Sequence, residues 1–91
     1  MTKIENNDYI KYFDENGKYH REDGPAFISK INNSVFSSFK HWYIHGKIHR
    51  LDGPAVEYSN GISYWYLEGR FLSKIKSQEE FERYLKLIIF L

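Results

Sequence analysis

The chain has 91 residues, no cysteine and a net charge of +1, and 19% of its residues are aromatic. A single small domain spanning 1–91 buries only about 60–65% of the surface its unfolded chain exposes, and the lack of cysteine excludes a disulfide or a thiolate-held metal as a staple. Basic residues are spread along the whole chain, which gives no sign of the positive field a phosphate-tracking protein needs.

The first eight residues, Met1 to Asp8, are polar and lack the apolar core of a signal peptide. No apolar run approaches the roughly 18 residues that span a bilayer. The expectation is a soluble, cytoplasmic protein with no membrane attachment.

From Tyr12 onward a repeat organises the chain. The block Gly17-Lys18-Tyr19-His20-Arg21-Glu22-Asp23-Gly24-Pro25-Ala26 matches Gly46-Lys47-Ile48-His49-Arg50-Leu51-Asp52-Gly53-Pro54-Ala55 at eight of ten positions without a gap. An aromatic pair precedes each block, Tyr12-Phe13 and then Trp42-Tyr43, with one extra residue before the first Gly. A truncated third unit opens at Trp65-Tyr66-Leu67-Glu68-Gly69-Arg70. Two full units and a half unit form a capped array.

Within a unit the expected order is strand, tight turn, short strand, second turn and an extended return. Asn16-Gly17 is the dipeptide most favoured for a type I′ hairpin turn, and Gly46 supplies positive φ in Ile44-His45-Gly46-Lys47. Asp23-Gly24-Pro25 and Asp52-Gly53-Pro54 mark the second reversal, with Asp bonding turn amides, Gly bending and Pro holding φ near −65°. Ser59-Asn60-Gly61 signals a further hairpin. The stretch Ile31 to Ser38 is an insertion, so the spacing falls from 29 residues (Gly17 to Gly46) to 23 (Gly46 to Gly69). Alternation places Trp42 and Ile44 on one strand face and His41, Tyr43 and His45 on the other, and sets Trp65 and Leu67 against Tyr64 and Tyr66.

At Ser77 the period changes from two to 3.6. Phe81, Tyr84, Leu85, Ile88 and Ile89 fall on one stripe of a helix over 77–91, and Ser77 with Glu80 forms an S-x-x-E capping box. Leu87, Phe90 and Leu91 lie off that stripe and are assigned to self-association as a symmetric homodimer.

The unit Trp-Tyr-x-x-Gly-Lys-x-His-Arg-x-Asp-Gly-Pro-Ala, followed by Asn-Gly and the next Trp-Tyr, resembles MORN-type repeats. It resembles more closely the MORN-like His-Arg-x-Asp-Gly-Pro-Ala hairpin-repeat proteins of bacteriophages and giant viruses. The resemblance covers about residues 12–72. It implies a mainly β fold, a single-layer antiparallel β-meander of tandem hairpin repeats (9–72) with one C-terminal amphipathic helix, and in the broader class protein interaction or lipid-headgroup binding. Where ordinary MORN repeats carry Gly after His, this chain has Arg21 and Arg50.

His20-Arg21-x-Asp23 and His49-Arg50-x-Asp52 are the chemically tempting blocks, since an acid/base His, a cation and a carboxylate suit phosphate-ester hydrolysis. Their repetition together with a turn favours a structural role, with His and Arg tying one hairpin to the next. His41, His45 and His49 are spaced by four, but His41 and His45 on a strand stand about 13 Å apart at 3.3 Å per residue, too far to share a metal. The rings of Tyr43, Tyr58, Tyr64 and Tyr66 with Lys40, Lys47, Arg50 and Arg70 could stack a base or nucleotide. No phosphate-cradling Gly-rich loop and no G-x-S-x-G elbow occurs.

The reading is a protein that is not an enzyme and uses no cofactor or metal. It is a protein-binding module, an accessory protein of phage or viral kind that docks on and inhibits a host protein such as a defence factor. Tyr43, His45, His49, Arg50, Tyr64, Tyr66 and Arg70 are its candidate partner-binding residues. The alternative is a protein that sequesters a small ligand, nucleotide or nucleic acid; the third is a His/Asp-dependent nuclease-like enzyme.

Overall fold

The computed structural model describes residues 1–89. Six strands form the main antiparallel sheet in the order β1 (Thr2–Glu5), β2 (Tyr9–Phe13), β3 (Phe27–Ser29), β4 (Phe39–His41), β7 (Val56–Tyr58) and β8 (Ser63–Tyr64). Two small hairpins stand apart from this sheet, β5 (Tyr43–Ile44) with β6 (Lys47–Ile48) and β9 (Tyr66–Leu67) with β10 (Arg70–Phe71). A third hairpin in the same row is closed by the bridge between Phe13 and Tyr19. Helix α1 runs Gln78–Ile89. The fold is therefore mainly β, a meander of hairpins followed by one helix, with extents of 43 × 36 × 17 Å.

So thin a body has almost no conventional core. Among the described residues Ala26, Ala55, Val56, Trp65 and Phe81 are the buried apolar ones, and of the large side chains described Phe81 is the one fully enclosed. Many of the remaining rings pack against one another along the sheet, which is how a chain with so many aromatics stabilises a single layer.

The turns follow local chemistry. His45-Gly46 and Glu68-Gly69 both have two successive positive φ values, 45° and 84° in the first and 52° and 80° in the second, which is the type I′ pattern. Asn16-Gly17 departs from expectation. Only Gly17 has positive φ there, at 77°, because the extra residue makes a longer loop in which Asp14 N–H donates to Lys18 C=O and Gly17 N–H to Asp14 C=O. Ser59-Asn60-Gly61 forms the same kind of loop between Tyr58 and Ile62.

Thr2–Glu5, polar and outside the 9–72 repeats, is an edge strand paired with β2 from Thr2↔Phe13 to Glu5↔Ile10. On the helix, Ser77 caps the first turn by accepting the Glu80 N–H at 3.2 Å, while Glu80 accepts the Lys76 N–H and the Ser77 hydroxyl. The stripe docks by its first turns only. Phe81 is enclosed and Tyr84 and Leu85 are half-buried, but Ile88 is 41% exposed.

Candidate functional site

The repeated block resolves into four jobs, each visible twice. Arg50 lays its guanidinium over the Trp42 ring, 3.9 Å from its centroid, as Arg21 does over Tyr12 at 4.2 Å. Each guanidinium donates to the carboxylate two residues on, Asp52 or Asp23, and to the carbonyl of Pro54 or Pro25. Arg50 also pairs with Glu57 at 3.1 Å. The carboxylates thus bind Arg side chains rather than turn amides, and the Arg50 contact holds the Asp52 carboxyl below its ordinary pKa.

Gly24 and Gly53 are not left-handed, contrary to the bend expected from a special φ. Their role is closeness. A Cβ on Gly53 would stand 2.8 Å from the Arg50 guanidinium carbon, and one on Gly24 would stand 2.9 Å from that of Arg21. Ala26 and Ala55, which follow these turns, have no exposed surface.

The His residues join units. His20 Nδ1 accepts the backbone N–H of His45, and His49 Nδ1 accepts that of Glu68, each at 2.9 Å. Both donors sit just before the turn Gly of the next hairpin, and that Gly in turn donates to the preceding unit, Gly46 to Tyr19 C=O and Gly69 to Ile48 C=O, at 2.8 Å.

Asp14 went unmarked in the sequence because it has no counterpart in the other units. It is buried, and its carboxylate accepts the Asn16 and Lys18 amides and the His45 Nδ1–H, the last at 2.7 Å. The His45 and Lys18 bonds pull its carboxyl down to about 2. Asn16 precedes its turn Gly as His45 and Glu68 do, so Asp14 supplies within the first unit the acceptor that a preceding His supplies to the later ones. At the other end Leu72 donates to Trp65 C=O as His20 does to Tyr12 and His49 to Trp42. An apolar side chain thus takes the place of His where no further hairpin follows. Trp65 is covered instead by the helix, its indole N–H donating to Gln78 Oε1 at 3.0 Å.

The two faces of the layer differ. One carries an unbroken run of rings from Phe13 through Tyr19, Phe27, Phe39, His41 and Tyr58 to Tyr64 and Phe71, neighbouring centroids 4.2–6.3 Å apart. Tyr43 joins it beside Tyr19 and Tyr66 beside Phe71. The insertion ends at its corner. Asn33 accepts the amides of Val35 and Phe36 in a tight turn that leaves these side chains 77% and 62% exposed, next to Ile62 and Tyr64 along one shallow hollow. His41, half-buried, has a buried Nε2 with no hydrogen-bond partner, and burial lowers its pKa.

The candidate residues divide between these faces. Tyr43, Tyr64 and Tyr66 belong to the aromatic face. His49 and Arg50 line a groove with Trp42, Ile44 and Leu51 on the opposite side, and Arg70 lines the neighbouring groove under Tyr84 and Ile88. His45 leaves the line of His41 and Tyr43 at its left-handed turn and stacks on His20 with centroids 4.0 Å apart. Leu87 is 66% exposed, while Phe90 and Leu91 lie outside the described residues. Among the described residues no three His, Asp or Glu side chains gather as a metal site, and no helix is long and apolar enough to cross a membrane. No family model, curated protein or solved structure matches this chain.

Proposed function

We propose that this chain is a non-catalytic protein-binding module that docks through its aromatic face. The observation carrying this reading is that the ring-bearing side of a single-layer sheet runs into a corner where Val35, Phe36, Ile62, Tyr64 and Phe71 are all exposed. An apolar surface of this continuity marks an interaction site more often than a free monomer surface, and aromatic residues anchor interfaces. The nucleotide alternative gains less support, because Arg50 is already engaged by Trp42, Asp52 and Pro54, on the side away from the tyrosines.

The resemblance to MORN-like viral repeats supplies the setting in this reading, a phage or viral accessory protein acting on a host protein in the cytoplasm. A photo-crosslinker at Phe36 should capture one host protein, and Phe71→Asp should abolish that capture with folding intact. A nucleotide panel that raises the melting temperature by several degrees while nothing is captured would replace this reading with the sequestering one.

A further inference from the structure

Unit by unit, the main sheet lacks one strand. In the first unit β2 is flanked on its outer side by β3, and Tyr12 N–H donates to Ala26 C=O; in the second, β4 is flanked by β7, and Trp42 N–H donates to Ala55 C=O. In the third, β8 ends the sheet order, and no strand among the described residues lies beyond it. The chain that would form it turns instead through Leu72–Ile75 into the helix.

The groups left open can be named. Tyr58 N–H donates to Ile62 C=O and Val56 pairs with Tyr64, so Ile62 and Tyr64 turn their backbone groups toward β7. Antiparallel alternation then turns Ser63 N–H and C=O outward. Ser63 corresponds to Ile10, which pairs with Ile28, and to Lys40, which pairs with Glu57.

Resting on the protein-binding reading, we infer that β8 is completed by an extended segment of the partner protein, added antiparallel along Ser63. The chain's own units show what fits: Ala26-Phe27-Ile28-Ser29 and Ala55-Val56-Glu57-Tyr58. A small residue lies beside the Trp or Tyr amide, and an apolar residue follows it onto the aromatic face. Charge narrows the choice further. In the second unit the residue at the pairing position, Glu57, meets Arg50. At the third, Ser73 takes the place of Arg50, and Lys74 and Lys76 just beyond it have no acidic partner among the described residues, so an acid at that position of the segment is favoured.

The experiment uses the whole protein and a labelled peptide of the sequence at 54–59, Pro-Ala-Val-Glu-Tyr-Ser, followed by fluorescence anisotropy. Ser63→Pro removes the outward amide and leaves the β7 ladder intact, since proline is tolerated at a sheet edge. The peptide should bind, and Ser63→Pro should weaken it about tenfold, as should N-methylation of the peptide's Glu, each removing one edge hydrogen bond and part of its neighbour. No binding, or binding indifferent to both changes, overturns the inference. So does a dimer that Ser63→Pro converts to monomer, because the edge is then taken by a second copy. If Ser63→Pro still captures the host protein through Phe36 while Phe71→Asp does not, the edge inference falls and the protein-binding reading stands.

Discussion

Arg50 lies between an indole and a glycine: its guanidinium carbon is 3.9 Å from the Trp42 ring centroid and 2.8 Å from where a Cβ on Gly53 would sit. Gly53→Ala should therefore destabilise the fold by about 1–3 kcal/mol through overpacking. Most of that cost should vanish in an Arg50→Ala background, since the clash is with Arg50 and not with the backbone. A double-mutant cycle by urea unfolding measures it, and an undiminished cost would return the explanation to backbone conformation.

His49→Ala should cost about 1 kcal/mol, since the Glu68 amide loses its acceptor. Amide exchange localises the effect. Glu68 should exchange faster in His49→Ala, and His45 faster in His20→Ala, with the other interface unchanged in each case.

Asp14 sets the acid limit. Its carboxyl is held down to about 2 in the folded state against about 3.9 unfolded, so its contribution is complete above about pH 5 and is lost as pH falls through 4 toward 2 and below. Asp14→Asn should lower the melting temperature at pH 7 and remove part of the decline between pH 4 and 2. A parallel decline in both proteins would count against the His45 and Lys18 contacts as its source.

His41 acts in a different window. Burial lowers its folded pKa, so the unfolded chain takes up a proton first as pH drops below about 6.5 and stability falls there. His41→Phe removes the unpartnered Nε2 and continues the stack with Phe39. It should gain about 1 kcal/mol at pH 7 and more at pH 5, read from melting curves at both values.

Self-association is expected through the helix, where Leu87 is largely exposed. Light scattering should give a dimer that Leu87→Lys disrupts. A monomeric mass across micromolar concentrations would refute self-association.

The hairpin array and the helix were legible because their signals are local. A turn Gly recurs at positions 17, 46 and 69, and Ser77 stands three residues before Glu80. β1 was not legible, since Thr-Lys-Ile-Glu has one apolar residue and lies exposed throughout. Asp14 was hidden by distance, its partner His45 being 31 residues away. The candidate set of Tyr43, His45, His49, Arg50, Tyr64, Tyr66 and Arg70 treated two faces as one, because alternation holds only within a strand. It stops at the left-handed turn of His45-Gly46, after which the returning segment carries His49 and Arg50 to the other side. The role of Gly53 was misread for another reason: a sequence cannot separate a glycine needed for its φ from one needed for its missing Cβ.

Because Asp14 satisfies the first hairpin from within, and Leu72 with the helix closes the last, the unit between them presents matching connectors on its two sides. It receives through His45 and Gly46 what it delivers through His49 and Ile48. Length in such a chain is a property of its terminators, and the interior unit is interchangeable with a copy of itself. Duplicating residues 42–64 in tandem should give a protein one hairpin longer with both ends unchanged. Its unfolding should be more cooperative and its melting temperature higher, as nearest-neighbour arrays require.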